Sequence, residues 1–122
     1  MPASTPTTDS PLISVLVTSY NHAPFIRQCI DSLLNQTYRR FRITVVDDCS
    51  TDGTAEILRS YGDRIDLTVR PRNRGVEAHA ETINEAIRRA DGYFFYRIDS
   101  DDFIAPDYFE QMIAAWRRDR TL

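Results

Sequence analysis

Four times along this chain a short apolar run gives way, through a polar turn, to apolar residues recurring at helical spacing. Ile13 to Val17 is apolar except for Ser14 and stops at Thr18-Ser19-Tyr20-Asn21. Pro24 then suits a first helical turn, with Phe25, Ile26, Cys29, Ile30, Leu33 and Leu34 following at helical intervals. Ile43 to Val46 ends at Asp47-Asp48 and leads through a turn, Cys49 to Gly53, into a short helix over Thr54 to Tyr61. Ile65, Leu67 and Val69 alternate as a third strand before the loop Arg70-Pro71-Arg72-Asn73-Arg74-Gly75, and Val76, Ala80, Ile83, Ile87 and Ala90 mark a longer helix. Tyr93 to Ile98 reads as a fourth strand running into Asp99-Ser100-Asp101-Asp102, and Pro106 opens a last helix carrying Phe109, Met112, Ile113 and Trp116. Strands that alternate with helices pair in parallel through right-handed crossovers. The expected fold is therefore α/β, a doubly wound, mainly parallel sheet with helices on both faces.

Such a sheet restricts where chemistry can sit, because ligands bind beyond the carboxyl ends of the strands, where strand order reverses. The segments there are Thr18 to Asn21, Asp47-Asp48, the Arg-rich loop to Gly75, and Asp99 to Asp102, so polar residues distant in sequence gather on one edge. In extended backbone Asp99 and Asp101 project to one side while Ser100 and Asp102 face away. Three carboxylates within four residues repel one another unless a cation sits among them, and oxygen ligands suit magnesium or manganese. The same run also fits an acidic cap for the following helix. Asp48 can accept hydrogen bonds from ring or hydroxyl donors, and Asp47 can do so or hold the turn. Both also suit helix capping, a task open more directly to Ser50, Thr51 and Asp52. Tyr20 offers a flat ring to a base or packs within its loop, while Thr18 and Ser19 supply hydroxyls. Arg70, Arg72 and Arg74 lie where a diphosphate would pass, or form a solvated face. Gly75 fits a positive φ and Asn73 can brace the turn. His22 and His79, near helix starts, could each meet an anion but read first as surface residues, and neither Cys29 nor Cys49 has a His partner nearby in sequence.

At 122 residues with 42% hydrophobic composition, the chain is expected to form one domain over residues 12–122, preceded by a disordered tail over 1–11 rich in Pro, Ser and Thr. A net charge of −3 argues against a nucleic-acid partner. All fifteen Lys+Arg positions are Arg, which excludes Schiff-base chemistry and a P-loop lysine. A dehydrogenase-type domain would carry Gly-x-Gly-x-x-Gly where Thr18 to Ala23 stands. Two distant cysteines fit a reduced, cytoplasmic setting, and neither a secretory signal nor a membrane-length apolar run is visible.

Five segments in order carry a resemblance: Val15 to Asn21, Gln36-Thr37-Tyr38, Val45 to Thr54, Asn73-Arg74-Gly75, and the Asp-x-Asp of Asp99 to Asp102. Together they resemble the motifs of family 2 glycosyltransferases with the GT-A fold, over Leu12 to about Trp116. Cys49 and Arg97 depart from the commoner residues at their positions. The resemblance implies a bacterial enzyme of cell-envelope polysaccharide synthesis that uses a nucleotide-diphospho-sugar, foremost a UDP-sugar, and a Mn or Mg ion for inverting transfer to an acceptor hydroxyl. Thr18, Tyr20 and Asp48 would meet the base, Asp99 the ribose and Asp101 the metal. The full expected donor-binding set is Thr18, Ser19, Tyr20, Asn21, Asp47, Asp48, Asn73, Gly75 and Asp99, with Asp101 and Asp99 as metal ligands. The catalytic base is left unassigned; Asp102 is the nearest candidate and reads first as a structural group. The acceptor half is expected to be absent, with self-association through the surface it would cover and, through segments outside this sequence, a place at the inner face of the membrane. The alternative is a non-catalytic nucleotide-binding module or pseudo-enzyme.

Overall fold

The computed structural model describes residues 10–75 and 78–119. Its strands are β1 (Ile13–Ser19), β2 (Phe41–Asp47), β3 (Asp66–Val69) and β4 (Phe94–Asp99), and its helices α1 (Ala23–Leu34), α2 (Thr54–Arg59), α3 (His79–Arg89) and α4 (Tyr108–Arg118). A 3-10 turn, Gly62–Arg64, precedes β3 and has no sequence signature. Residues 1–9 of the expected tail and Val76, the expected first apolar residue of the third helix, lie outside the described residues.

All pairings are parallel and the strand order is β3-β2-β1-β4. The chain steps outward from β1 through β2 to β3, then jumps back across the sheet to β4. Right-handed crossovers place α1 and α2 on one face and, because the direction reverses, α3 on the other. The reversal lies between β1 and β4, so the ligand-binding crevice is expected at Ser19 and Asp99.

The core forms on the α1 face. Ile13, Val15 and Val17 of β1, with Ile43, Val45 and Ile98 of its neighbours, pack against Ile26, Cys29, Ile30 and Leu33 of α1, Leu58 of α2, and Phe109 and Ile113 of α4. The opposite face is thinner. Among the described residues of α3 only Thr82 is buried, as its run of Glu and Arg residues dictates, and a polar cleft of about 650 Å³ separates this helix from the sheet. At the amino end of the sheet Gly92 permits a close crossing: its N–H donates to Ser14 Oγ at 2.9 Å, and a Cβ there would lie 2.7 Å from the Ser14 nitrogen. No helix among the described residues is long and apolar enough to cross a membrane.

Candidate functional site

Parallel register alone brings the first site residues together. Thr18 pairs with Val46 and Asp99, and Ser19 with Asp47, so three strands end side by side. The course of the chain beyond each strand end is set by how the polar groups there pair.

Asp47 turns inward. It is fully buried, and its carboxylate accepts from Ser19 Oγ at 2.9 Å, the Ser50 N–H at 2.9 Å and Ser50 Oγ at 2.7 Å. Asn21, in a left-handed conformation with φ 52, donates its N–H to Ser50 Oγ and accepts the Thr51 N–H, both at 2.8 Å. The two residues tie the loop after β1 to the loop after β2. Neither is among the residues that line the hollow described below, and both spend their polar groups on this tie.

Asp48 points the other way and latches the loop after β3. Its carboxylate accepts the N–H of Arg74 at 2.9 Å and of Gly75 at 3.0 Å, with Arg70 Nη1 at 3.5 Å. Gly75 adopts φ 73, the left-handed turn that presents its N–H to this carboxylate. Arg70 also donates to Thr82 Oγ1, joining the latch to α3.

The acidic run is not extended beyond Asp99. Asp102 folds back to donate its N–H to the Asp99 carbonyl at 2.9 Å, so Asp102, expected to face away, joins its neighbours. One carboxylate oxygen from each of Asp99, Asp101 and Asp102 lies within 4.8 Å of the others. Ser100 is buried instead; its Oγ meets His22 Nδ1 at 2.6 Å and its N–H donates to the Thr18 carbonyl at 3.2 Å. Asp101 and Asp102 are exposed, Asp99 partly so, and Asp99 Oδ1 already takes Arg97 Nη2 at 2.7 Å and Thr18 Oγ1 at 3.4 Å. An all-oxygen, open-sided donor set of this kind fits a hard divalent cation such as Mg²⁺ or Mn²⁺ that keeps positions for water or phosphate.

These edges enclose one hollow of about 530 Å³. Thr18, Ser19 and Tyr20 line it from the end of β1 and the residue beyond, Asp48, Asn73 and Gly75 from the latch, and Asp99 and Asp101 from the end of β4 and the turn after it. Asp48 and Asp101, 53 residues apart in number, therefore line the same hollow. Arg70, which the sequence leaves open between the path of a diphosphate and a solvated face, lines it as well, as do His22 and His79, which read as surface residues, and Ser100, which the alternation turns away. The only signal for the two histidines is their position at helix starts beside the polar edge.

Cys29 lies just beneath, its Sγ 3.6 Å from the Asp99 carbonyl, and is fully buried. Burial pushes its thiol up to about 12, with repulsion from Asp102, Asp101 and Asp99 adding to the effect. At pH 8 the thiol therefore stays protonated. A thiol reagent at that pH is expected to label the partly exposed Cys49 of the folded chain and to reach Cys29 only on unfolding, a difference that mass spectrometry of the labelled peptides reads directly.

The model of the family described as glycosyl transferase family 2 matches residues 14–122. The chain belongs to that family. Among similar proteins of the family, chondroitin synthase of Pasteurella multocida (strain Pm70) is 36% identical over 115 residues, covering 92% of this chain and 12% of that protein. The structure of S. aureus TarS 1-349 in complex with UDP superimposes with a TM-score of 0.76 at 32% identity, covering 89% of this chain and 33% of that one. A mannosyltransferase from Pyrobaculum calidifontis, solved in complex with GDP-Man and Mn²⁺, gives a TM-score of 0.66 at 31% identity over 88% of this chain and 32% of that one. The chain thus spans a third or less of each of these proteins. The four-stranded parallel sheet with helices on both faces is the part of the GT-A fold that it shares with them.

Proposed function

We propose that this chain is the donor-binding part of a glycosyltransferase, taking a nucleotide-diphospho-sugar, foremost a UDP-sugar, together with Mg²⁺ or Mn²⁺. The observation that carries this reading is the shared hollow: Asp48, which suits a base N–H, and Asp101, which suits a cation, face one space at the strand reversal. The similar structures solved with UDP and with GDP-Man and Mn²⁺ support the ligand class.

Thr18, Tyr20 and Asp48 bind the base, with Tyr20, 44% exposed, free to stack on it. Asn73 and Gly75, placed by the Asp48 latch, close that end of the hollow. Asp99 meets the ribose, and Asp101 holds the cation with Asp99 and Asp102 beside it. A cation held there would supply charge neutralisation for the diphosphate that leaves when an acceptor hydroxyl displaces it from the anomeric carbon with inversion. The chain's own contribution is to fix the nucleotide and the direction of the diphosphate. No residue of the hollow is assigned as the base for the acceptor, since Asp102, the nearest carboxylate, sits among the cation ligands.

Calorimetric titration of the folded chain with UDP tests the reading. Saturable binding is expected with Mn²⁺ present, and EDTA is expected to remove most of the affinity. A folded sample that gives no saturable heat with UDP and Mn²⁺ overturns it.

A further inference from the structure

Arg97 has no part in donor binding as proposed, yet it joins two walls of the hollow. It stands two residues before Asp99 on β4, and its Nη2 reaches both Asp99 Oδ1 at 2.7 Å and His79 Nε2 at 2.5 Å. Its Nε is buried and has no partner among the described residues, so the guanidinium is held by what its far end touches.

The inventory of donors and acceptors then decides the state of the imidazole. A guanidinium offers donors only. His79 must therefore accept at Nε2, and an imidazole that accepts there carries its proton on Nδ1. His79 lines the hollow, and its Nδ1 has no hydrogen-bond partner among the described residues. A single fixed N–H is thus available on a wall otherwise rich in carboxylates.

Its place in the hollow suggests what it meets. His79 and Thr82 lie one turn apart on α3, hence on one face, and Thr82 is tied through Arg70 to Asp48. That is the nucleoside end. The diphosphate follows the cation to the turn at Asp101 and Asp102.

We propose that Arg97 is a positioning residue that sets His79 as the Nδ1–H tautomer, and that His79 donates this N–H to a carbonyl or hydroxyl oxygen of the nucleoside. The nucleoside contact rests on the donor-binding reading; the tautomer does not.

Long-range ¹H–¹⁵N spectra of the labelled chain test the first part, with His79→Gln used to assign the signals. His79 is expected to be protonated on Nδ1 alone in the wild type and to redistribute between tautomers in Arg97→Met. A wild-type His79 protonated on Nε2 alone overturns the proposal. UDP titrations test the second part. Arg97→Met and His79→Ala are each expected to weaken UDP binding by about three- to tenfold, the range of one hydrogen bond, and the double variant no more than either alone. His79→Asn, whose amide N–H falls near the place of Nδ1, is expected to retain wild-type affinity within about threefold. His79→Gln, whose amide falls near Nε2, is expected to behave like His79→Ala. Losses that add in the double variant, or an Asn variant as weak as the Ala variant, overturn the contact. Should Arg97→Met fail to fold, the wild-type spectrum and the two His79 amide variants decide the matter. A wild type that does not bind UDP at all overturns the donor-binding reading and the contact with it, while the spectrum still decides whether Arg97 sets the tautomer.

Discussion

Replacing Asp101 by Asn is expected to weaken the Mn²⁺-dependent binding of UDP by about 100-fold or more, since losing a ligand exceeds the tenfold to hundredfold loss typical of its outer partners. The side chain is exposed and belongs to a cluster of three carboxylates whose oxygens lie within 4.8 Å. In the absence of cation its neighbours repel it, so neutralising it leaves stability unchanged to within about 0.5 kcal/mol or raises it slightly. Affinity and stability therefore move apart. Titration with UDP and Mn²⁺ beside urea unfolding checks this, and equal Mn²⁺ dependence in wild type and variant would remove Asp101 from the cation site.

Gln36 presents the opposite case, a residue remote from ligand on which the acidic turn depends. It is 1% exposed. Its Nε2 donates to the Ser32 carbonyl at 3.0 Å and the Ala105 carbonyl at 2.6 Å, and its Oε1 accepts the Phe109 N–H at 2.9 Å. The Thr37 N–H adds a bond to the Pro106 carbonyl at 2.8 Å, and Ser32 Oγ accepts the Ile104 N–H at 3.2 Å. The end of α1 thus anchors the segment that runs from the acidic turn to α4. Gln36→Ala leaves three backbone groups without their partner. At about 1–3 kcal/mol for each buried group left unpaired, with water recovering part, the expected loss is about 3 kcal/mol. Gln36→Glu, close in shape, is expected to do at least as much harm because a buried carboxylate would face the carbonyls of Ser32 and Ala105. Urea unfolding of both variants checks the stability. Cation affinity measured well below the unfolding transition checks the second consequence, a looser acidic turn.

The alternation of strands and helices was legible because each element buries an apolar face, and burial leaves a periodic trace in sequence. The polar edge was legible for the same reason: topology places strand ends together whatever residues occupy them. Less visible was which polar groups would satisfy each other. Asp47 and Asp48 are adjacent and chemically identical, yet one braces Ser19 and Ser50 inside the fold while the other holds the loop of Arg74 and Gly75 beside the hollow. Strand alternation separates their directions, but nothing in the sequence says which direction faces solvent. The acidic run misled in a different way. Period-two alternation holds only while the backbone stays extended, and the bond from the Asp102 N–H to the Asp99 carbonyl ends it at once. Arg97 stood out in sequence only as a departure from the commoner residue there; its contact with an imidazole eighteen positions away left no trace.

Gly92 shows what the other end of the molecule demands. There two backbones cross so closely that an added methyl would meet the main chain of Ser14, and no change of charge could relieve the conflict. Mutational tolerance should therefore divide along the strand axis: at one pole size decides which variants survive, at the other the sign and count of ionic groups.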